Sequence, residues 1–334
     1  MNTMQAVVLN AFDTPLSDQR IARPVPAAGQ VLVRVIASGV NPLDTKIAAG
    51  KADHAQIQLP AVLGIDIAGV VDSVGADVQG FAAGDRVFGM TGGIGKVQGS
   101  LAQYAAVDAR LLAHMPPQLT MREAAALPLI FITAWEGLVD RARVGEGMTV
   151  LVHGGAGGVG HMAVQLAAAR GAQVYATGSA DQREAIEKMG ATFIDYRSTS
   201  VEQYVQQYTD GEGFDVVYDT VGGATLDASF RAARQYGGHV VSCLGWGTHA
   251  LAPLSFRAAT YSGVFTLLPL LSGKGRANHG AIMKEAGSLV AAGKLKVALD
   301  AGVYTLDAAS VTAAHTALAE GTARGKVVVQ VADI

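Results

Sequence analysis

The sequence predicts an α/β protein of two domains, in which a doubly wound parallel sheet is inserted into a β-rich domain made from both ends of the chain. Three observations predict it. Up to about residue 120, short β-favouring runs alternate with Gly and Pro turns. From 149 to 243, strand-like and helix-like runs alternate as βαβ units do. After Gly245-Trp246-Gly247 that alternation weakens, and the tail reads as a return to the first domain. The expected division is therefore 1–123 with 268–334, and 124–267 between them. With 334 residues, half of them hydrophobic and only 16% charged, the chain carries enough apolar surface for two cores.

Residues 4–9 and 31–37 read as strands, joined by a Pro- and Gly-rich connection through Pro24, Pro26 and Gly29. Asn41-Pro42-Leu43-Asp44 reads as a helix start, with an N-cap, a Pro at the first helical position and an acid in the first turn. Residues 60–75 form a Gly-punctuated strand pair, 84–89 a further turn and strand, and a Gly-rich loop at 91–100 precedes a strand over 102–107. Thr120-Met121-Arg122-Glu123 is a capping box that opens Ala-rich helical sequence. Strands over 149–153, 173–177, 192–196, 214–219 and 239–243 then alternate with helices over 159–170, 181–189, 200–207 and 225–234. In the tail, helices are read over 279–292 and 307–319, with strands near 295–304 and over 326–331.

The centre of the chain is a strand that runs into Gly154-Gly155-Ala156-Gly157-Gly158-Val159-Gly160 and then a helix. Gly155, Gly157 and Gly160 satisfy G-x-G-x-x-G in the strand–turn–helix setting that gives the motif meaning. The first glycine permits the tight turn, the second admits a pyrophosphate to the backbone N–H groups, and the third lets helix and strand pack closely. A dinucleotide is the expected cofactor. Dinucleotide sites that take NAD place a carboxylate at the end of the second strand to bind the ribose hydroxyls. Here that strand ends in Gly178-Ser179, with no carboxylate before Asp181, and Arg183 follows. Ser179, Arg183 and Tyr196, which closes the third strand, are read as a 2′-phosphate site, so the expected cofactor is NADP. Ser179 and Gln182 also form a capping box, so the hydroxyl has a structural alternative. His153, beside the loop, reads as a structural histidine.

Other classes are disfavoured. A net charge of −3 and the lack of any Lys/Arg run argue against nucleic acid. The longest apolar stretch, Gly263 to Leu271, is short for a bilayer and is interrupted by Pro269. The start of the chain has no basic region followed by an apolar one, so the expected compartment is cytoplasmic. Cys243 is the one cysteine, and no Cys/His cluster has zinc spacing, so the metal expectation is none.

Taken together, Val40-Asn41-Pro42-Leu43-Asp44-Thr45-Lys46, Gly64 to Val71, Gly84 to Gly89, the Gly loop with Ala163-Val164-Gln165-Leu166-Ala167, and the ending Arg324-Gly325-Lys326-Val327-Val328 resemble the zinc-independent medium-chain dehydrogenases/reductases, in the quinone oxidoreductase (zeta-crystallin-like) and alkenal reductase branches. The resemblance spans the chain. It implies a GroES-like catalytic domain from both ends, a Rossmann domain between, an active site in the cleft and a homodimer. The zinc-dependent relatives have Gly-His-Glu where this chain has Gly64-Ile65-Asp66, and a cysteine within the stretch from Asn41 to Asp44. Without a metal, hydride needs an acceptor that is already electrophilic, a quinone or an α,β-unsaturated carbonyl. The resemblance puts Asn41 near the nicotinamide as hydrogen-bond donor, with Lys46 and then Asp44 as further catalytic candidates. It lines the nicotinamide side with Thr133, Gly222, Leu244, Gly245 and Phe265, and directs Lys326 to the cofactor phosphates. Two other readings stay open, an enoyl-thioester reductase and an NADPH-binding protein without turnover.

Overall fold

The structure, a computed structural model, describes residues 2–333. It divides into two compact units, Met1–Leu129 with Leu267–Ile334, and Ile130–Thr266.

The first unit begins with β1 (Thr3–Leu9), β2 (Ser17–Ala22), β3 (Gln30–Gly39), α1 (Pro42–Ala48), β4 (Ala61–Val62), β5 (Asp66–Val74), β6 (Arg86–Met90), β7 (Tyr104–Asp108), β8 (Leu112–His114) and α2 (Met121–Ala126). β3 is its spine: it pairs antiparallel with both β5 and β7 and is buried along nearly its whole length. A strand covered on both faces reads as a continuous apolar run, and Val-Leu-Val-Arg-Val-Ile-Ala is one. Two register shifts against β5 bend it. α2 starts at the Thr120/Glu123 capping box and packs on β3 and β5, and it approaches so closely that a Cβ on Gly39 would strike the Ala125 carbonyl oxygen. β2 was not anticipated. Its residues, Ser-Asp-Gln-Arg-Ile-Ala, alternate in exposure but not in hydrophobicity, so this edge strand leaves no period in the sequence.

The second unit follows from α3 (Pro128–Trp135) with β9 (Thr149–His153), α4 (Gly158–Ala169), β10 (Gln173–Gly178), α5 (Arg183–Lys188), β11 (Thr192–Asp195), α6 (Val201–Thr209), β12 (Val216–Asp219), α7 (Ala224–Ala232), β13 (His239–Ser242), α8 (Ala252–Ser255) and β14 (Thr260–Gly263). The strands form one parallel sheet in the order β11-β10-β9-β12-β13-β14. Its direction of growth reverses between β9 and β12, which makes that junction the topological switch point. Leu151, Tyr175, Phe214, Val217, Phe230 and Val240 belong to the core of this unit. The helix expected over 181–189 is shorter, because Ser179 to Gln182 make a capped 3₁₀ turn before α5. β14 lies beyond the predicted alternation. Only Tyr261 in Thr-Tyr-Ser-Gly is a large apolar residue, as suits an edge strand.

The chain then supplies α9 (Leu268–Ser272), α10 (Arg276–Ala291), β15 (Tyr304–Thr305), α11 (Ala308–Ala319) and β16 (Val328–Gln330) to the first unit. The larger sheet there has the order β15-β16-β3-β5-β6-β8, and a second, β2-β1-β4, completes the β-rich framework. The strands expected near 295–304 reduce to the two residues of β15 and an isolated bridge between Leu299 and Lys326.

Candidate functional site

In the second unit the Gly loop follows β9 and ends on α4, whose N-cap is Gly157. The first turn of a helix has N–H groups with no acceptor inside the helix, and here Gly158, Val159 and Gly160 supply them. Gly157 and Gly158 are exposed, Ala156 and Val159 half-buried, and Gly155 and Gly160 buried. The buried pair has packing reasons to be glycine. A Cβ on Gly155 would lie 2.6 Å from the Ala176 Cβ, and one on Gly160 would strike the Gly154 carbonyl oxygen. Gly178 is buried too, where a Cβ would lie 2.6 Å from Ile186 Cδ1. The exposed backbone of Gly157 and Gly158 at the helix end fits a dinucleotide pyrophosphate.

At the ends of β10 and β11 the arrangement differs from the expectation. Ser179 does cap, its N–H donating to Gln182 Oε1 at 3.1 Å, but its hydroxyl donates to Asp181 Oδ1 at 2.6 Å. The Arg183 guanidinium pairs with Glu187 at 3.2 Å and lies over the Phe193 ring, so it is held along α5. The basic group beside Tyr196 is Arg197, which was missed in the sequence. Its Nε donates to the Tyr196 hydroxyl at 3.3 Å, and Tyr196, Asp181 and Asp195 together raise its pKa. Tyr196 and Arg197 are exposed. Only strand alignment brings 179–181 and 196–197 side by side, through Gly178 opposite Asp195.

On the other side of the switch point Asp219 is fully buried at the end of β12, opposite His153 of β9. Its carboxylate accepts from Val221 N, Gly222 N and the Ser242 hydroxyl at 2.7 to 3.2 Å. The Ser242 hydroxyl oxygen accepts from Leu244 N at 3.0 Å, and Thr220 Oγ1 donates to the His153 carbonyl at 2.6 Å. Burial moves the His153 pKa down to about 4, against the opposing pull of Asp219, so the ring is neutral at pH 7. Thr133 is buried, with its hydroxyl 3.0 Å from that of Thr266 and its carbonyl accepting from Tyr218. Gly245 is exposed, and Phe265 meets Trp246 edge to face at 6.1 Å.

The first unit buries a second polar constellation. Lys326 Nζ donates to Asn41 Oδ1 at 2.6 Å and to the Val40 carbonyl at 2.9 Å, and lies 3.8 Å from Asp66. Asn41 Nδ2 donates to Asp66 Oδ2 at 2.9 Å, and Leu129 N donates to the other oxygen at 2.8 Å. Asp44 accepts from Asn41 N at 2.8 Å and from Gly64 N at 3.3 Å. Burial pushes both carboxyls up to about 6 although Lys326 pulls them down, and burial likewise lowers the lysine. Two sequence expectations change here. Lys326, directed to cofactor phosphates, has its ammonium spent on Asn41 and Val40 inside this unit. Asn41, expected to donate to a substrate, is completely buried, with its amide oxygen and one amide hydrogen already engaged. Lys46 is exposed on α1.

An Alcohol dehydrogenase GroES-like domain model matches residues 27–117, and a Zinc-binding dehydrogenase model matches 189–329. The chain is 35% identical over 322 residues to 2-methylene-furan-3-one reductase of Solanum lycopersicum, covering 93% of this chain and 74% of that protein. It is 34% identical over 320 residues to an NADPH-dependent alkenal/one oxidoreductase, chloroplastic, of Arabidopsis thaliana, covering 93% and 75%. It is also 40% identical over 226 residues to the spectinabilin polyketide synthase system protein NorB of Streptomyces orinoci, which is 66% of this chain and 10% of that one. Among solved structures, an alcohol dehydrogenase superfamily protein from Novosphingobium aromaticivorans has 54% identity and a TM-score of 0.96 over 99% of this chain and 100% of that one. The quinone oxidoreductase from Coxiella burnetii has 28% identity and a TM-score of 0.82 over 99% and 100%.

Fold and loop thus define a reductase of the nicotinamide-binding oxidoreductases, with a GroES-like domain and a Rossmann-like domain. The chain belongs to the medium-chain dehydrogenase/reductase superfamily. The zinc in one family model's description does not fit these residues. Among the described residues no three His, Cys, Asp or Glu side chains are grouped to hold a metal, and the buried Asp66 carboxylate already has the Lys326 ammonium 3.8 Å away. No helix among the described residues is long and apolar enough to cross a membrane.

Proposed function

We propose that the protein is an NADPH-dependent reductase that delivers hydride, without a metal, to a quinone or to an alkene conjugated to a carbonyl. The observation that carries this reading is the similarity, over 93% of the chain, to two reductases whose names specify an enone or alkenal/one acceptor. A nicotinamide cofactor, when bound, supplies the hydride. The N–H groups of the Gly loop hold its pyrophosphate, and Gly155, Gly160 and Gly178 let loop, helix and strands pack closely beneath it. Ser179, Tyr196 and Arg197 receive the 2′-phosphate, Arg197 supplying the charge first assigned to Arg183. Thr133, Gly222, Leu244, Gly245 and Phe265 line the nicotinamide side. Asn41 and Asp44 secure the start of α1, on which Lys46 is exposed. A homodimer formed through the edge strand β14 and residence in the cytoplasm belong to the same reading.

The test is a side-by-side measurement of NADPH and NADH oxidation with 9,10-phenanthrenequinone, an alkenal and a crotonyl thioester. Turnover of the first two with NADPH supports the proposal. A preference for NADH of about tenfold, a difference of about 1.4 kcal/mol, refutes the 2′-phosphate assignment. The polyketide synthase relative favours a second reading, reduction of an enoyl thioester, which turnover of the crotonyl thioester alone would select.

A further inference from the structure

We infer that Asp219 is a positioning residue for the nicotinamide half of the bound dinucleotide, an assignment that rests on the nicotinamide reading above. In a doubly wound sheet each half of a dinucleotide lies over one set of strands, with the pyrophosphate at the switch point. The Gly loop follows β9, so β9, β10 and β11 take the adenosine half, while the other half lies over the carboxyl ends of β12 and β13. Those ends carry the loops 220–223 and 243–247, and one side chain ties both together.

Asp219 is fully buried, and every donor on it is neutral: the N–H groups of Val221 and Gly222 and the Ser242 hydroxyl. Ser242 in turn fixes Leu244 N, so the carboxylate sets Gly222 directly and Leu244 through one hydroxyl. The loops also touch. A Cβ on Gly222, where φ is +80°, would lie 2.7 Å from the Leu244 carbonyl oxygen, so the geometry of one loop limits the other. Thr220, adjacent to Asp219, anchors the same turn to the His153 carbonyl beside the Gly loop. A buried carboxylate is expensive to keep in a fold unless what it organises is needed. Here it organises backbone at the one place where the nicotinamide must be held to a fraction of an ångström for hydride transfer.

The test compares Asp219→Ala, Asp219→Asn and Ser242→Ala with the unchanged protein. Two ligands are titrated, NADPH, followed by nicotinamide fluorescence, and 2′-phospho-ADP-ribose, which lacks the nicotinamide. Loss of oriented hydrogen bonds from a charged acceptor predicts that Asp219→Ala weakens NADPH about tenfold or more. The nicotinamide-free ligand should stay within about twofold. Ser242→Ala should show the same selectivity at about threefold, and Asp219→Asn, which keeps an acceptor for Gly222 N, should recover much of the loss. Equal weakening of both ligands, or weakening of neither, overturns the inference. Should Asp219→Ala fail to fold, Ser242→Ala and Asp219→Asn decide by the same comparison. If the unchanged protein binds neither NADPH nor NADH, the functional reading itself fails. Binding of NADH alone moves the comparison to NADH against ADP-ribose and leaves the Asp219 inference standing or falling on its own result.

Discussion

Replacing Asp66 by Asn removes one titrating group from the buried constellation of the first unit while keeping the side chain's shape. The carboxyl of Asp66 is raised from an ordinary 3.8 to about 6, first by burial and in small part by Asp44, against the pull of Lys326 and of the donors on it. A raised carboxyl makes the folded chain hold its proton to higher pH than the unfolded chain does. Between pH 4 and pH 7 the unfolded state therefore binds fewer protons, and stability falls as pH rises. The contribution is fully present below 3.8 and lost as pH passes through about 6. For a shift of this size it amounts to about 3 kcal/mol per carboxyl. Asp66→Asn cannot lose what it does not titrate, so its stability relative to the unchanged protein should improve by about 2 kcal/mol from pH 4 to pH 7. In a unit of this size that is about 4 to 8 °C in unfolding midpoint. Thermal unfolding followed by circular dichroism at four or five pH values measures it. Parallel profiles for the two proteins, within about 1 kcal/mol across the range, would refute the argument that this cluster titrates as described.

Three further outcomes follow from the geometry. Arg197→Ala should raise KM for NADPH about tenfold and leave KM for NADH unchanged, because a charged hydrogen bond to the 2′-phosphate is lost only with the former. Equal effects on both would remove Arg197 from the site. Gly160→Ala puts a Cβ against the Gly154 carbonyl oxygen, so calorimetric titration should show dinucleotide binding lost while the first unit's unfolding stays in place. Gly39→Ala drives α2 away from β3 at the Ala125 carbonyl; urea denaturation should show the protein about 2–3 kcal/mol less stable, with dinucleotide affinity retained.

How much of this was legible depended on whether the governing contact was local. The strand–Gly loop–helix at 149–169 could be read because spacing alone dictates which glycine turns, which admits phosphate and which packs, and the capping boxes at 120–123 and 179–182 could be read for the same reason. The edge strands β2 and β14 left little trace, since an exposed edge imposes no hydrophobic period. Arg183 follows Ser179 in sequence, whereas no local pattern places Arg197 near it. The parallel pairing of β10 with β11 instead brings Tyr196 and its neighbour to Gly178.

By itself the sequence determined the two architectures and the strand, Gly loop and helix at their centre, because each rests on residue type at fixed spacing. Only the tertiary structure decided what Asn41, Asp44, Asp66 and Lys326 do. The partners of the Asn41 side chain stand 25 and 285 residues away in sequence, and no local pattern reports that Lys326 will spend its charge there. Burial then fixes the chemistry: with bulk water excluded, the amide and the ammonium are held by neighbours in the same unit, and the two carboxyls titrate near pH 6 instead of near 4.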